Sequence, residues 1–368
     1  MARIYDAKLI LEDGSEYYGY RFGAEEERIC EVVFNTSMVG YQEIVSDPSY
    51  TDQAVVMTYP LIGNYGVNRD DSETRHPTVG ALLVGEYNPY PSNFRSAWSL
   101  SDWMKSFGIP GLEGLDTRRL TRSIRDMGSR LGLITSADTD AAEGVKKIKA
   151  YRVPHDAVQR VSTQKVWFSP AQGKTVCRVA AIDCGMKLNI VRSLNLRGCD
   201  VTVFPYDTPA VELERMNPDG LFLSNGPGDP EDVKPVISLV RSMRGKLPIF
   251  GICLGHQMIA LAYGAETYKL KFGHRGGNHP VKNLLSGRVE ITSQNHSYAV
   301  RDASVAGTGL EVTHVNLLDG TVEGLQCKAD HVFSVQYHPE SAPGPEDSGY
   351  LFDRFVEEMK QYGGSRNV

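Results

Sequence analysis

Apolar and polar positions follow two regimes along the chain. From about Lys174, short apolar runs alternate with amphipathic stretches. Val176–Ile182 (VCRVAAI) reads as a buried strand, and Lys187–Leu196 sets Leu188, Val191 and Leu194 near one helical face before Gly198 ends the helix. Strands are expected at Asp200–Phe204, Gly220–Ser224 and Pro248–Cys253, with helices at Glu231–Arg244 and Gly255–Tyr263. Such alternation implies an α/β fold of parallel strands joined by crossover helices on both faces, with a ligand site outside the carboxyl ends of the strands.

After Gly273 the texture turns β-rich, with strands expected at Val289–Ser293, Tyr298–Val300, Leu310–Val315, Val322–Cys327 and Val332–Gln336, and a closing helix at Tyr350–Gln361. Upstream, MARIYDAKLILEDGSEYYG alternates like a strand. Short strands follow at Glu31–Asn35, Ala54–Thr58 and Val79–Val84, among many turn residues, and then a helix at Thr117–Met127. Between these regions Pro154, Pro170 and Gly173 interrupt a stretch of little periodicity. The pattern predicts a smaller β-rich α/β domain at 1–151, a linker at 152–173 and a larger domain at 174–368.

Composition narrows the function classes. A length of 368 residues fits roughly two domains. Hydrophobic content of 41% and charged content of 23% are those of a globular protein. The net charge of -6 comes without a basic stripe, so nucleic acid is not an expected partner. No apolar run approaches the ~20 residues of a membrane span, and the N-terminal stretch lacks the features of a secretory signal. A cytoplasmic protein without a membrane partner is expected. The six cysteines, Cys30, Cys177, Cys184, Cys199, Cys253 and Cys327, form no C-x-x-C pair, which argues against zinc ribbons and thioredoxin-type motifs.

One cysteine stands apart by its neighbours. Gly251-Ile252-Cys253-Leu254-Gly255 has the spacing of a nucleophile elbow, in which glycines permit a sharp strand-to-helix turn that presents the central side chain. The amides and partial positive charge at the N-terminus of the following helix then favour a thiolate. A thiolate needs a proton shuttle, and His338-Pro339-Glu340 offers an imidazole with a carboxylate two residues away, completing a Cys-His-Glu triad. The loop Ser224-Asn225-Gly226-Pro227-Gly228-Asp229-Pro230 frees backbone amides for an oxyanion, at the end of a strand expected beside the Cys253 strand. Taken singly, each of these has a bland alternative: a packed cysteine, a turn histidine, an Asn-Gly turn.

Two features are set aside. Gly173-Lys174-Thr175 resembles the tail of a phosphate-binding loop, but Phe168 occupies the first glycine position and the segment precedes a strand, so no ATP site is expected in this chain. His274, His279 and His296 lack zinc spacing and read as turn and packing residues, so no metal is expected.

Together GICLGHQ, SNGPGDP and HPE resemble the class I, or triad, glutamine amidotransferases. FNTSMVGYQEIVSDPSY, TYPLIGNYGVN, LDTRRLTRSIRDMG, KFGHRGGNHPV, SQNHSYAV and HPESAPGPEDS further resemble the small, glutamine-hydrolysing subunits of carbamoyl-phosphate synthases, over nearly the whole chain. The resemblance implies a flavodoxin-like C-terminal domain with a mostly parallel sheet flanked by helices. It also implies that Cys253 attacks the glutamine amide, that His338 moves protons and that Glu340 orients His338. Leu254, Gly226 and Gly228 would stabilise the oxyanion. Ser49, Gln257, Asn295, Ser297 and Tyr298 would complete the L-glutamine site, with Ser297 standing where the family usually has glycine.

The implied partner is a large ATP-grasp subunit that receives ammonia and itself uses ATP and Mg, leaving no cofactor in this chain. The arginines of the Thr117–Met127 helix, Arg118, Arg119, Arg122 and Arg125, are either a contact for that partner or a solvated face. An amidotransferase subunit of another synthase and an inactive regulatory scaffold are the alternatives. The resemblance implies a product that serves arginine biosynthesis, pyrimidine biosynthesis or both.

Overall fold

Asp13 and Gly14 turn the chain, with Gly14 at φ 84°, so that β1 (Ala7–Leu11) pairs back on β2 (Glu16–Gly23). The computed structural model describes residues 4–366, with side chains to residue 363. Residues 1–3 of the alternating N-terminal stretch lie outside them. The chain divides into two units, Met1–Pro154 and His155–Val368.

In the first unit the strands continue as β3 (Arg28–Asn35), β4 (Gln53–Met57), β5 (Leu61–Ile62), β6 (Ala81–Leu83), β7 (Glu86–Tyr87), β8 (Pro110–Glu113) and β9 (Arg130–Ser136). They close into a barrel in the order β1-β2-β8-β6-β4-β3-β9, while β5 and β7 form a separate pair. Closure leaves no free sheet edge, a solution that short strands with turn-rich connections do not reveal one at a time. Helices α1 (Tyr41–Ser46) and α2 (Leu100–Ser106) contribute Tyr41, Ile44, Leu100 and Met104 to a cluster with Phe22, Val33, Val55 and Leu82. Helix α3 (Thr117–Met127) has the range its periodicity predicts; Asp116 caps it and Leu120 and Ile124 face inward. Helix α4 (Ala141–Ala150) buries Ile148 against Ile10 and Leu133.

The stretch 152–173, expected as a linker, carries structure of its own. Helix α5 (Ala157–Val161) starts it, and β10 (Trp167–Ser169) pairs antiparallel with β12 (Cys199–Pro205). An edge strand of three residues is too short to show a periodicity.

Around β12 the second unit arranges β11 (Cys177–Asp183), β13 (Gly220–Leu223), β14 (Ile249–Ile252) and β19 (Val332–Val335) as parallel neighbours in the order β12-β11-β13-β14-β19. In sequence rank this is 2-1-3-4-5, the flavodoxin-like order. The full sheet has ten strands. It continues past β19 through β18 (Val322–Cys327), β16 (Val289–Val300), β15 (Thr267–Asn283) and β17 (Glu311–Asn316), all in antiparallel pairs. The sheet is therefore mixed and not mostly parallel. No crossover helix separates β15 from β18, and strands joined by short turns must run antiparallel. Residues 289–300, expected as two strands, are one.

Alternation on each parallel strand feeds two cores. Ala180 and Ile182 face one, with Leu213 of α7 (Ala210–Met216), Val236 and Val240 of α8 (Lys234–Met243), and Met258 and Ile259 of α9 (Leu254–Tyr263). Val179 and Ala181 face the other, with Ile190 and Leu194 of α6 (Leu188–Leu196) and Phe352 and Phe355 of α10 (Tyr350–Arg366). Phe250 of β14 stacks on Phe333 at 4.4 Å between centroids and meets Phe222 edge-on at 5.4 Å. This pins the strand that ends at Cys253. Among the described residues, no helix is long and apolar enough to cross a membrane.

Candidate active site

Four parallel strands deliver their carboxyl ends to one edge. Register pairs Ile182 with Leu223, Leu223 with Gly251 and Ile252 with Val335. The segments that follow, Cys184 to Lys187, Ser224 to Gly228, Cys253, and Gln336 to Glu340, therefore emerge side by side.

Cys253 sits at φ 55°, ψ −103°, backbone that a non-glycine residue rarely adopts and that surrounding structure must enforce. The enforcement comes from the flanking glycines. A Cβ on Gly255 would lie 2.4 Å from the Leu223 carbonyl oxygen, and one on Gly251 would lie 2.7 Å from Ile259 Cδ1 and 2.8 Å from the Gly255 carbonyl. Without side chains at either position, α9 starts directly against β13 and β14. The Gly255 amide donates to the Ser224 carbonyl at 3.1 Å, tying the Gly226 loop to the same helix start. Gly226 packs against the Cys184 carbonyl and the Leu254 side chain, and Gly228 has φ 87°. Leu254 is the first residue of α9, where amides lack intrahelical acceptors.

His338 and Glu340 follow β19. Both side chains are buried, and His338 Nδ1 is 2.7 Å from Glu340 Oε1, so the ring donates to the carboxylate. His338 Nε2 is buried without a hydrogen-bond partner. The Cys253 thiol contacts the Asn295 carbonyl at 3.5 Å, yet Cys253 is near enough to His338 to act on its proton affinity. Burial works to lower the His338 pKa, but the Glu340 charge and the neighbouring Cys253 prevail and hold it up at about 10. Burial likewise works to raise Glu340, and the charges of Lys187 and His338 overcome it, to about 2. The site thus favours an imidazolium over a carboxylate, beside a sulfur at a helix N-terminus.

Lys187 escaped the sequence reading, which placed it only at the start of a helix. Its Nζ is 3.0 Å from Glu340 Oε1 and donates to the Ala342 carbonyl at 2.6 Å, and the side chain is 3% exposed. Its amide donates to Asn225 Oδ1 at 3.1 Å. A lysine directly after the carboxyl end of a central parallel strand, on the edge shared with Cys253, was the available signal.

Gln257 is buried one turn into α9, where its Nε2 donates to the Tyr298 carbonyl at 2.8 Å and to Gln336 Oε1 at 3.0 Å. Asn295, Ser297 and Tyr298 lie on β16 beside these groups. Ser297 is absent from the positive-φ residues, so serine meets no backbone strain where a glycine would also fit. Ser49 lies in the first unit, in the short 3-10 turn Pro48–Tyr50, its amide donating to Asp47 Oδ1 at 2.9 Å.

His274, His279 and His296 sit in strands, not turns; His274 and His296 are buried, and His279 is half-buried with its ring 5.3 Å from that of His274. His274 Nε2 bonds Asp319 Oδ2 at 2.8 Å. Burial acts to lower its pKa, but its bonds to Asp319 and Glu323 raise it to about 9. Donor atoms of His274, His296 and Glu323 fall within 4.8 Å of one another, a set with metal-ligand chemistry. His296 already spends both ring nitrogens, on the Tyr298 carbonyl and on Gln294, and Glu323 accepts from Asn316 and Gln294. His296 and Glu323 are thus engaged within the protein, while His274 Nδ1 and His279 Nδ1 are buried without a hydrogen-bond partner among the described residues.

Comparison with known proteins places these features. A family model described as carbamoyl-phosphate synthase small chain, CPSase domain, matches residues 9–134, and one for class-I glutamine amidotransferases matches 180–358. A carbamoyl phosphate synthase small chain of Fusobacterium nucleatum is 54% identical over 97% of this chain and 99% of its own length. One from Bacillus caldolyticus is 55% identical over 98% of each. The chain belongs to the carbamoyl-phosphate synthase small-chain family. A solved structure of a putative GMP synthase component from Thermoplasma acidophilum overlays with a TM-score of 0.45 at 23% identity, covering 52% of this chain and 98% of that one. Gly173-Lys174-Thr175, which precedes β11, leads into no helix that would hold phosphate.

Proposed function

We propose that this small chain hydrolyses L-glutamine through Cys253 and passes the ammonia to a large ATP-grasp partner. The partner combines it with bicarbonate at the expense of two ATP to make carbamoyl phosphate. The observation that carries the reading is the strained elbow at Cys253, next to the buried His338–Glu340 pair that follows the adjoining parallel strand.

Cys253 Sγ attacks the carbonyl carbon of the glutamine side-chain amide. The negative charge that develops on oxygen is met by amides of Leu254 and the Gly226–Gly228 loop. His338 carries the thiol proton to the leaving nitrogen, ammonia departs, and a glutamyl thioester remains. A water then gives its proton to His338, attacks the thioester and releases glutamate and the thiol. Glu340 holds the imidazole and stabilises its charged form, while Lys187 keeps that carboxylate ionised. Gln257, Asn295, Ser297 and Tyr298 recognise the α-amino and α-carboxylate groups. Several polar contacts are what discrimination against asparagine and glutamate requires. A cytoplasmic site of action is part of the same proposal, and the exposed arginines of α3 suit a contact with the partner.

The test is synthesis by the chain with its natural partner. Glutamine, bicarbonate and ATP should yield carbamoyl phosphate. Cys253→Ser should abolish that reaction while added ammonia still supports it. A complex that hydrolyses glutamine but makes no carbamoyl phosphate would sink the assignment; equal loss of both activities would make Cys253 structural.

A further inference from the structure

The β15–β16 pair carries Asn295, Ser297 and Tyr298, and its ladder is broken once within the stretch opposite them and once just beyond it. Register runs Lys269 with Tyr298, shifts before His274 with His296, and shifts again between Gly276 and His279. A ladder interrupted this way holds its strands less tightly than a regular one, so the segment needs other ties. Two come from Tyr298, whose carbonyl accepts from Gln257 Nε2 and from His296 Nδ1 at 2.7 Å.

A third comes from Arg275. It stands opposite Asn295 and hence diagonal to Ser297. Its guanidinium is withdrawn from solvent, at 3% exposure for the residue. Nη1 donates to the Phe272 carbonyl at 2.7 Å and Nη2 to Ser297 Oγ at 2.5 Å. Gly273, at φ 72°, makes this possible: a Cβ there would lie 2.3 Å from Nη1, so the arginine folds back over its own strand. Burying a guanidinium is costly unless fixed acceptors receive its protons. One of those acceptors is a side chain on the strand proposed to hold glutamine.

We infer that Arg275 is a positioning residue for glutamine recognition, acting through the Ser297 hydroxyl to hold Asn295–Tyr298 in the substrate-binding register. The inference rests on the proposed role of β16 in the glutamine site. Ser297 then serves in two ways, its backbone at the substrate and its hydroxyl as the hook that Arg275 grips.

The experiment uses the complex with its synthetase partner and the variants Arg275→Met, Arg275→Lys, Ser297→Ala and Arg275→Met/Ser297→Ala. Losing a hydrogen bond to a charged donor is expected to raise the glutamine KM about tenfold or more in Arg275→Met and in Ser297→Ala. In Arg275→Met, kcat and ammonia-dependent synthesis should stay within about twofold, since this bond lies off the reacting atoms. The double variant should be no worse than Arg275→Met alone, because both changes break one contact. Arg275→Lys should recover part of the loss. Ser297→Ala keeps the arginine in place and removes the hydroxyl it bonds, so it reports even where loss of the arginine harms folding. An unchanged KM in Ser297→Ala, additive effects in the double variant, or a parallel fall in ammonia-dependent synthesis would overturn the inference. A wild-type complex that uses no glutamine would instead remove the functional reading, and the inference with it.

Discussion

Glu340→Gln replaces the carboxylate shared by His338 and Lys187 with a neutral amide of the same size. The wild-type oxygen Oε1 is 2.7 Å from His338 Nδ1 and 3.0 Å from Lys187 Nζ, and the side chain is fully buried. Two losses follow. Lys187 becomes a buried cation without its counter-charge, which costs about 3–5 kcal/mol of folding stability. His338 loses the largest influence holding its pKa up at about 10, so its pKa falls, with burial still pulling it down and Cys253 alone left to oppose it. At about 1.4 kcal/mol per tenfold change, the interval from 6.5 to about 10 corresponds to on the order of 5 kcal/mol of imidazolium stabilisation. Glutamine turnover near pH 7.5 should fall by several orders of magnitude, while ammonia-dependent synthesis persists in the fraction that remains folded. NMR of labelled histidine would follow the His338 titration, and urea unfolding would follow stability. Adding Lys187→Met should restore most of the stability and none of the turnover. A His338 titration that stays near 10 in Glu340→Gln would refute the electrostatic argument, and equal destabilisation with and without Lys187→Met would refute the ion-pair arithmetic.

Gly255→Ala places a Cβ 2.4 Å from the Leu223 carbonyl; α9 must retreat, costing roughly 1–3 kcal/mol and moving Cys253, so thermal melting and kcat should both fall. Stability should also depend on pH through His274, raised to about 9, and Asp319, lowered to about 2. The histidine contribution is fully present below about 6.5 and is lost as pH rises through about 9; the aspartate contribution is present above about 4 and is lost as pH falls through about 2. Urea midpoints should therefore plateau between about pH 4.5 and 6.5, and the decline toward pH 9 should flatten in His274→Asn. Phe250→Ala should cost about 3–5 kcal/mol by emptying the stack on Phe333, a loss that urea unfolding would measure.

Much of the second unit was legible because its signals are local. A buried strand is a continuous apolar run, a crossover helix has a 3.6 period, and an elbow that needs glycine on both sides of a cysteine writes itself into five consecutive residues. Helix α3 and strand β18 have the ranges read from their periodicity. What escaped is non-local. Closure of the first-unit barrel depends on β1 pairing with β9, from opposite ends of the unit. The antiparallel extension of the sheet depends on connections too short to cross over, and β10 is recognisable only by its partner.

The candidate site divides the same way. Cys253, His338 and Glu340 were chosen from residue type and motif, since nucleophile, shuttle and orienter have few chemical substitutes. That they meet was decided by the parallel order β13-β14-β19, which aligns strand ends far apart in sequence. Lys187 and Arg275 carry no motif, because a cation's role depends on which carboxylate or hydroxyl the fold brings within about 3 Å, and no residue spacing records that distance.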